Sequence, residues 1–148
     1  MTFNRNWFKY WLPVIFWMCF IFWMSTETFS SQNTFSLVET VLRFLSLKIP
    51  FQEMGLTHTF IRKSGHIIEY FTLGLLLFRA FRGNSIVWWN WRWSAFAVIV
   101  VILWAACDEF HQSFVPTRTA SVVDVAIDTV GGVFAQFVSV LWHCYRKK

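Results

Sequence analysis

The stretch CDEFHQSFVPTRTASVVDVAIDTVGG, from Cys107 to Gly132, decides how this chain folds. It carries four acidic residues together with a histidine, a glutamine and an arginine, and it lies between two strongly apolar runs. Charged side chains inside or beside a bilayer are costly unless they face each other or water. The stretch therefore predicts two helix ends, joined by a turn, that contribute to a polar site.

The composition indicates an integral membrane protein. Of the 148 residues, 56% are hydrophobic, 21% are aromatic and 14% are charged, proportions that a soluble domain does not reach. The length predicts one domain, residues 1–148. Although the net charge is +5, the basic residues flank apolar runs and form no patch, so the predicted partner is the lipid bilayer and not nucleic acid. We expect Cys19, Cys107 and Cys144 to be buried free thiols.

Four apolar helical runs predict an all-α membrane protein. They cover about residues 8–25, 60–82, 91–114 and 121–144, and each is long enough to cross a hydrocarbon core of roughly 30 Å, which takes about 20 helical residues. Short connections between them favour an antiparallel bundle of four transmembrane helices. No small-residue cleavage site follows the first run, so we interpret it as a retained helix and not as a signal peptide.

The polar loop from Ser25 to Thr59 contains one further helical pattern. Val38, Val41, Leu42 and Leu45 recur at helical spacing, with polar side chains on the opposite face. This pattern predicts a short amphipathic helix in the first outer loop, on the membrane surface or capping the bundle.

The distribution of the 13 lysines and arginines predicts the orientation, because cytoplasmic segments of membrane proteins are enriched in them. With both termini in the cytoplasm, the larger share is inside: Arg5, Lys9, Arg79, Arg82, Arg92, Arg146, Lys147 and Lys148. The smaller share is outside: Arg43, Lys48, Arg62, Lys63 and Arg118. We therefore expect a multi-pass protein of the plasma membrane with both termini cytoplasmic.

This orientation brings the start of the second span, the end of the third and the start of the fourth to the outer face. We expect a polar pocket there, open to the outside and floored by apolar residues. In the third span we expect Glu109 and Gln112 to face inward and Asp108 and His111 to flank them. The candidates for acid–base or hydrogen-bonding roles are His66, Glu69, Glu109, Gln112, Asp124 and Asp128.

Several chemistries fit this set of residues. The network can simply fix the register of the helices. It can also perform acid–base work, because burial raises the pKa of one carboxyl group while a neighbouring cation lowers the pKa of another. Arg118, with the N-terminus of the fourth helix, can bind a phosphate or carboxylate. A carboxylate site for a divalent cation is conceivable, but no metal motif is present, so no metal site and no cofactor is predicted.

Three segments resemble the VanZ-like membrane proteins. KSGHIIEYFTLG matches their Lys-x-x-His-x-x-Glu-Tyr-x-x-Leu-Gly pattern, and the third span continues with their Glu-x-x-Gln-x-Phe-x-Pro-x-Arg pattern. Their Ser-x-x-Asp pattern, with an acid or amide before Gly, follows in the fourth span. Asp128 departs from the many members that carry asparagine there. The matched positions are Lys63, His66, Glu69, Tyr70, Leu73, Gly74, Glu109, Gln112, Phe114, Pro116, Arg118, Ser121, Asp124, Asp128, Gly131 and Gly132.

The resemblance implies a role at the cell envelope, since the name member of the family is associated with resistance to the glycopeptide teicoplanin. We expect a protein that binds or processes a lipid-linked or amphiphilic ligand with an anionic head, such as a lipid-linked cell-wall precursor or a lipoglycopeptide. Lys63 and Arg118 would hold the head, and Tyr70 and Ser121 complete the ligand-binding set. The alternatives are a non-catalytic accessory or antibiotic-shielding protein and, third, a small ion- or proton-coupled transporter. Whether a reaction takes place stays open.

Overall fold

The computed structural model describes residues 5–26, 31–44, 51–116 and 120–146. These residues form five helices and no strand, so the predicted all-α class is confirmed for them. The helices are α1 (Arg5–Met24), α2 (Ser31–Phe44), α3 (Phe51–Arg82), α4 (Trp91–Gln112) and α5 (Val122–Arg146).

Three of the described helices have the length and apolar composition needed to cross a membrane: Trp7–Met24, Trp91–Gln112 and Val122–Arg146. They make this chain a multi-pass membrane protein. The third helix is different, because Arg62, Lys63 and Glu69 interrupt its middle. The second of the four predicted spans, and with it the four-span bundle, therefore stays a prediction.

The bounds of α3 correct the expected polar loop. Residues 51–59 are helical and continue without a break into the predicted span, so the expectation that the loop extends to Thr59 was wrong. The segment contains no proline, and the Thr59 hydroxyl donates to the Gly55 carbonyl oxygen at 2.9 Å, a local hydrogen bond that is compatible with a helix. The result is a helix of 32 residues that extends beyond the predicted start near residue 60.

A helix also lies where the amphipathic segment was predicted. It contains Val38 and Val41 but begins at Ser31, and Leu45 lies outside the described residues. The Phe35 ring packs against the His58 ring on α3, with centroids 5.4 Å apart. Burial lowers the pKa of His58, and the nearby Arg62 guanidinium acts in the same direction. His58 is therefore neutral at pH 7 and suited to this apolar contact.

The third helix is the centre of the fold, because it contacts each of the other four. Its closest approach is to α5, along a seam of small residues. A Cβ atom on Gly131 would come within 2.5 Å of the Ile67 carbonyl oxygen, and one on Gly74 within 2.9 Å of the Ala135 Cβ. Glycine is needed at both positions, and the seam fixes the register of α3 against α5.

The core and the outer surface of the bundle are both apolar. Val14, Leu73, Leu77 and Val101 are fully buried between the helices. Large side chains such as Phe16 and Leu103 are exposed, as expected for a surface that faces lipid. The cysteines were expected to be buried, but Cys19, Cys107 and Cys144 are exposed on this surface.

The turn between α3 and α4 is tightly organised. Gly83 adopts a left-handed conformation with φ of 53°, and its N–H donates to the Arg79 carbonyl oxygen at 3.0 Å, which ends α3. The Asn90 side chain caps the start of α4 by accepting from the Arg92 N–H at 2.9 Å. Tyr10 on α1 donates its hydroxyl to the Asn84 side chain at 2.6 Å, which ties the first helix to this turn.

Candidate functional site

Polar side chains from four helices meet at the other end of the bundle, away from that turn. We name this group the acidic cluster and define it as Ser25, Lys63, His66, Tyr70, Asp108, Glu109, Gln112, Asp124 and Asp128. These residues come from the position directly after the end of α1, the middle of α3, the end of α4 and the start of α5. The predicted convergence of the second, third and fourth spans is observed in the contacts that follow.

Asp108 accepts two side-chain hydrogen bonds at one oxygen, while its buried Oδ1 atom has no partner among the described residues. The Ser25 hydroxyl donates to its Oδ2 atom at 2.6 Å, and Gln112 Nε2 donates to the same oxygen at 2.9 Å. Asp108 is only 1% exposed. The expectation that it flanks the site was therefore wrong, whereas Glu109 and Gln112 are buried as expected. The reason is the spacing of four residues, which places Asp108 and Gln112 on one helical face beside Ser25.

Sequence reasoning missed Ser25 as a member of the site. It follows directly after α1, and its side chain is almost completely buried. The signal that could have found it is its position at the end of the first span. An antiparallel arrangement places that point beside the end of α4, where a carboxylate needs a hydrogen-bond donor.

Asp128 lies at the centre of the cluster and is completely buried. His66 Nδ1 is 3.4 Å from Asp128 Oδ1, an ion-pair distance without the alignment of a hydrogen bond. Neither Asp128 oxygen has a hydrogen-bond partner among the described residues, and the same holds for the buried Tyr70 hydroxyl. Unpaired buried polar atoms are rare in native proteins and indicate a missing water, proton or ligand.

Tyr70 is a further member of the acidic cluster and is completely buried. It is close enough to interact electrostatically with both Asp108 and Asp128, and His66 interacts in the same way with Asp108 and Glu69. The Glu69 carbonyl oxygen also accepts from Trp17 Nε1 at 2.9 Å, which positions α3 against α1. An imidazole, a phenol and two carboxylates therefore share one buried volume.

Glu109 connects α4 with the start of α5. Its Oε2 atom accepts from the Ser121 N–H at 2.8 Å, and its side chain is almost buried. Ser121 Oγ in turn accepts from the Val123 N–H at 3.2 Å and so caps the start of α5. Glu109 thus places a negative charge at the positive N-terminal end of α5, a favourable position for a carboxylate.

The rim of the cluster carries the compensating cations. Lys63 Nζ donates to Asp124 Oδ1 at 3.2 Å, and an Arg62 nitrogen lies 4.0 Å from Asp124 Oδ2. The Lys63 side chain is 38% exposed, so exposure rises from the floor at Asp128 toward this rim. Arg118, the other predicted anion-binding residue, lies outside the described residues.

His111 lies at the edge of the acidic cluster and interacts electrostatically with Asp108. Its ring lies against Phe22, with centroids 4.2 Å apart, and it is partly buried, in agreement with its expected place at the flank. Within the described ranges, no group of three or more His, Cys, Asp or Glu side chains is arranged to hold a metal ion. In these ranges, carboxylates of the cluster accept hydrogen bonds from neighbouring donors and do not form a coordination sphere.

A family model described as VanZ/LLP1 matches residues 10–143 of this chain. The chain belongs to the VanZ/LLP1 family. No curated protein and no solved structure gives a match. The match covers every residue of the acidic cluster, and it confirms the family resemblance drawn from the three motifs.

The fold explains why VanZ/LLP1 motifs lie on separate helices. The first motif supplies Lys63, His66 and Tyr70 from α3, and the second and third meet it from α4 and α5. The glycines that end the first and third motifs, Gly74 and Gly131, are seam positions that bring the helices into contact. Family membership indicates a VanZ-like membrane role and makes antibiotic resistance the phenotype to test.

Proposed function

We propose that this VanZ/LLP1 protein binds or processes a cell-envelope ligand with an anionic head at the acidic cluster. In this proposal α3 crosses the membrane as the second of four spans, both termini are cytoplasmic, and the cluster faces the outside of the plasma membrane. The observation that carries the proposal is the completely buried Asp128, whose two oxygens lack hydrogen-bond partners among the described residues beside an equally unpaired Tyr70 hydroxyl. A carboxylate held this way at membrane depth needs a donor from elsewhere.

The arrangement divides the ligand into two parts. A phosphate or carboxylate head would be held by Lys63 at the rim and by Arg118. Lys63 would then replace part of its ion pair with Asp124 by a contact with the head. Hydroxyl or amide groups of the same ligand fit the floor, as donors to Asp128 and acceptors from Tyr70. His66, between Asp128 and Glu69, is the group placed to take up or release a proton.

The accessory function is a second candidate, and Asp108 favours it. Both of its hydrogen bonds come from this chain, from Ser25 and Gln112, so this acid acts in helix packing. In that function the whole cluster fixes the bundle, and the rim docks a partner helix or shields the envelope from the drug.

Transport receives less support. Gln136 donates to the Gly74 carbonyl oxygen at 3.0 Å, and Ser139 donates to the Ala135 carbonyl oxygen at 2.9 Å. The first of these hydrogen bonds joins α5 to α3, and the second lies within α5. Neither extends the acidic cluster into the other half of the bundle.

The test is teicoplanin tolerance in a susceptible bacterium that expresses the chain. Glu109→Gln keeps an acceptor for the Ser121 N–H and removes the charge, and His66→Ala removes the imidazole. We expect both to abolish the tolerance that the wild type confers, at equal membrane levels, while Arg92→Gln at the other end retains it. Tolerance that survives both changes would exclude acid–base processing and select the accessory function. A wild type that confers no tolerance would exclude the resistance role.

The anionic head can be tested separately from the reaction. Lipids that co-purify with the wild type, with Lys63→Ala and with Arg118→Ala are compared by mass spectrometry. We expect one class of anionic amphiphile to be depleted in both variants. An identical lipid profile in all three proteins would contradict the head-group assignment.

A further inference from the structure

Two arginines converge on one tryptophan at the end of the bundle opposite the acidic cluster. The Arg82 guanidinium lies 4.2 Å from the centroid of the Trp88 ring, and the Arg146 guanidinium lies 4.5 Å from it. Arg82 is the last residue of α3 and Arg146 is the last residue of α5. The fold thus holds two like charges close together, which is unfavourable unless an anion joins them. We name this group the arginine–tryptophan site.

No carboxylate neutralises these two charges among the described residues. The acids of α3, α4 and α5 that are nearest along the chain are Glu69, Asp108 and Asp128, all of which lie in or beside the acidic cluster. In addition, Arg82 Nε is buried and has no hydrogen-bond partner among the described residues. The site therefore offers positive charge and an unused donor.

A purely structural role explains only part of this arrangement. Each arginine gains from the tryptophan face, about 0.5–1 kcal/mol at an exposed site, and from the negative end of its helix. Neither effect requires two guanidinium groups on one ring, and neither satisfies a buried Nε–H. An oxygen-rich anion between the two groups accounts for both observations.

The surroundings match an amphiphile rather than a free ion. A cavity of about 370 Å³ adjoins Trp88 and Arg146, and its lining is completed by Ile86, Val87, Trp89 and His143. This volume is within the usual range for small-molecule sites. The Ile86 side chain is 100% exposed, and Val87 is also exposed, so apolar surface adjoins the positive charge. Tryptophan at this position is typical of the boundary between headgroups and acyl chains.

We infer that the arginine–tryptophan site binds the phosphate of an anionic phospholipid headgroup, with Arg82 and Arg146 as its ligands. Planar guanidinium groups bind phosphate oxygens in pairs. Ile86 and Val87 would contact the start of the acyl chains. This site is at the opposite end from the acidic cluster, so it does not depend on the proposed function.

Native mass spectrometry of the full chain in detergent tests this inference. The probes are phosphatidylglycerol and phosphatidylcholine with identical acyl chains, together with inorganic phosphate. We expect the wild type to retain phosphatidylglycerol about tenfold more strongly than phosphatidylcholine, and we expect the Arg82→Gln/Arg146→Gln double variant to lose that preference; tenfold corresponds to about 1.4 kcal/mol. Arg92→Gln is the matched control, since it removes a charge near Trp91 and leaves Trp88 untouched.

Three results would overturn the inference. They are equal retention of phosphatidylglycerol by the double variant, equal retention of the two lipids by the wild type, and displacement of the lipid by inorganic phosphate at the same concentration. If the double variant does not fold, the single Arg146→Gln variant replaces it, because Arg146 is exposed at the end of α5. The single variant must then lose several-fold of the preference, and an unchanged preference would equally overturn the inference.

Discussion

The two ends of this bundle place charged side chains in different surroundings. At the acidic cluster, carboxylates are buried between helices, and Asp108 and Asp128 are 1% and 0% exposed. At the arginine–tryptophan site, the cations lie against aromatic rings beside exposed apolar side chains. Buried charges need partners at fixed positions, whereas interfacial arginines can find theirs in the lipid. The difference is the reason for proposing a ligand site at the first end and lipid binding at the second.

The α3–α5 seam sets the geometry of the acidic end, and it provides the largest expected effect. Gly131→Leu would place side-chain atoms against the Ile67 backbone, which cannot move without shifting α3. We expect a loss of stability of about 3 kcal/mol or more and separation of His66 from Asp128, one turn away. The measurement is the melting temperature of the purified protein in detergent micelles.

Gly65→Ala on α3, the other helix of the seam, is the control, because nothing lies within 4 Å of a Cβ atom at that position. Alanine is the better helix former, so a gain of about 0.5–1 kcal/mol is expected. If Gly131→Leu melts at the same temperature as Gly65→Ala, the seam does not determine the acidic end.

An intermediate loss of stability is expected when the Asp108 carboxylate loses a hydrogen-bond donor. Ser25→Ala removes its shortest hydrogen bond and leaves a buried charge with Gln112 as its remaining side-chain donor. The expected loss of stability is about 1–3 kcal/mol, measured by the same thermal assay.

Ser139→Ala is the comparison for this change. The Ser139 hydroxyl donates to a carbonyl oxygen of its own helix, a bond that contributes little, so we expect nearly no change. Equal melting temperatures for the two serine variants would show that Ser25 does not stabilise the buried acid.

The smallest effect on stability is expected at the rim. Lys63→Gln breaks the ion pair with Asp124, but the Lys63 side chain is 38% exposed, and partly exposed pairs contribute at most about 1 kcal/mol. We therefore expect a nearly unchanged melting temperature together with a clear loss of the co-purified anionic amphiphile. A melting temperature that falls as far as in Ser25→Ala would place Lys63 in the packing of the bundle and not at a ligand rim.

Much of the fold could be predicted from the sequence, because apolar runs of membrane length are a strong signal. The helices α1, α4 and α5 lie close to the predicted spans. The start of α3 was missed because its polar residues at 51–59 look like a loop, although they are compatible with a helix. α3 also falls outside the three helices with membrane-spanning composition, because Arg62, Lys63 and Glu69 interrupt its apolar residues.

The site could be predicted at the level of which helix ends converge, but not at the level of side-chain directions. Asp108 and Glu109 are neighbours, so helical periodicity alone cannot decide which of them faces the bundle. The structure buries both, because Ser25 supplies a donor for one and the Ser121 backbone supplies a donor for the other. Ser25 is distant in sequence from both, and no local pattern connects them.

The central claim is that the two ends lie on opposite sides of the membrane, with the acidic cluster outside. Cysteine labelling tests it most directly, in a chain whose exposed Cys19, Cys107 and Cys144 have been replaced by alanine. Ala120→Cys marks the acidic end and Ile86→Cys marks the other end, and both positions are exposed. We predict that a membrane-impermeant maleimide labels Ala120→Cys in intact cells and labels Ile86→Cys only after permeabilisation. The reverse pattern, or labelling of both in intact cells, would contradict the account.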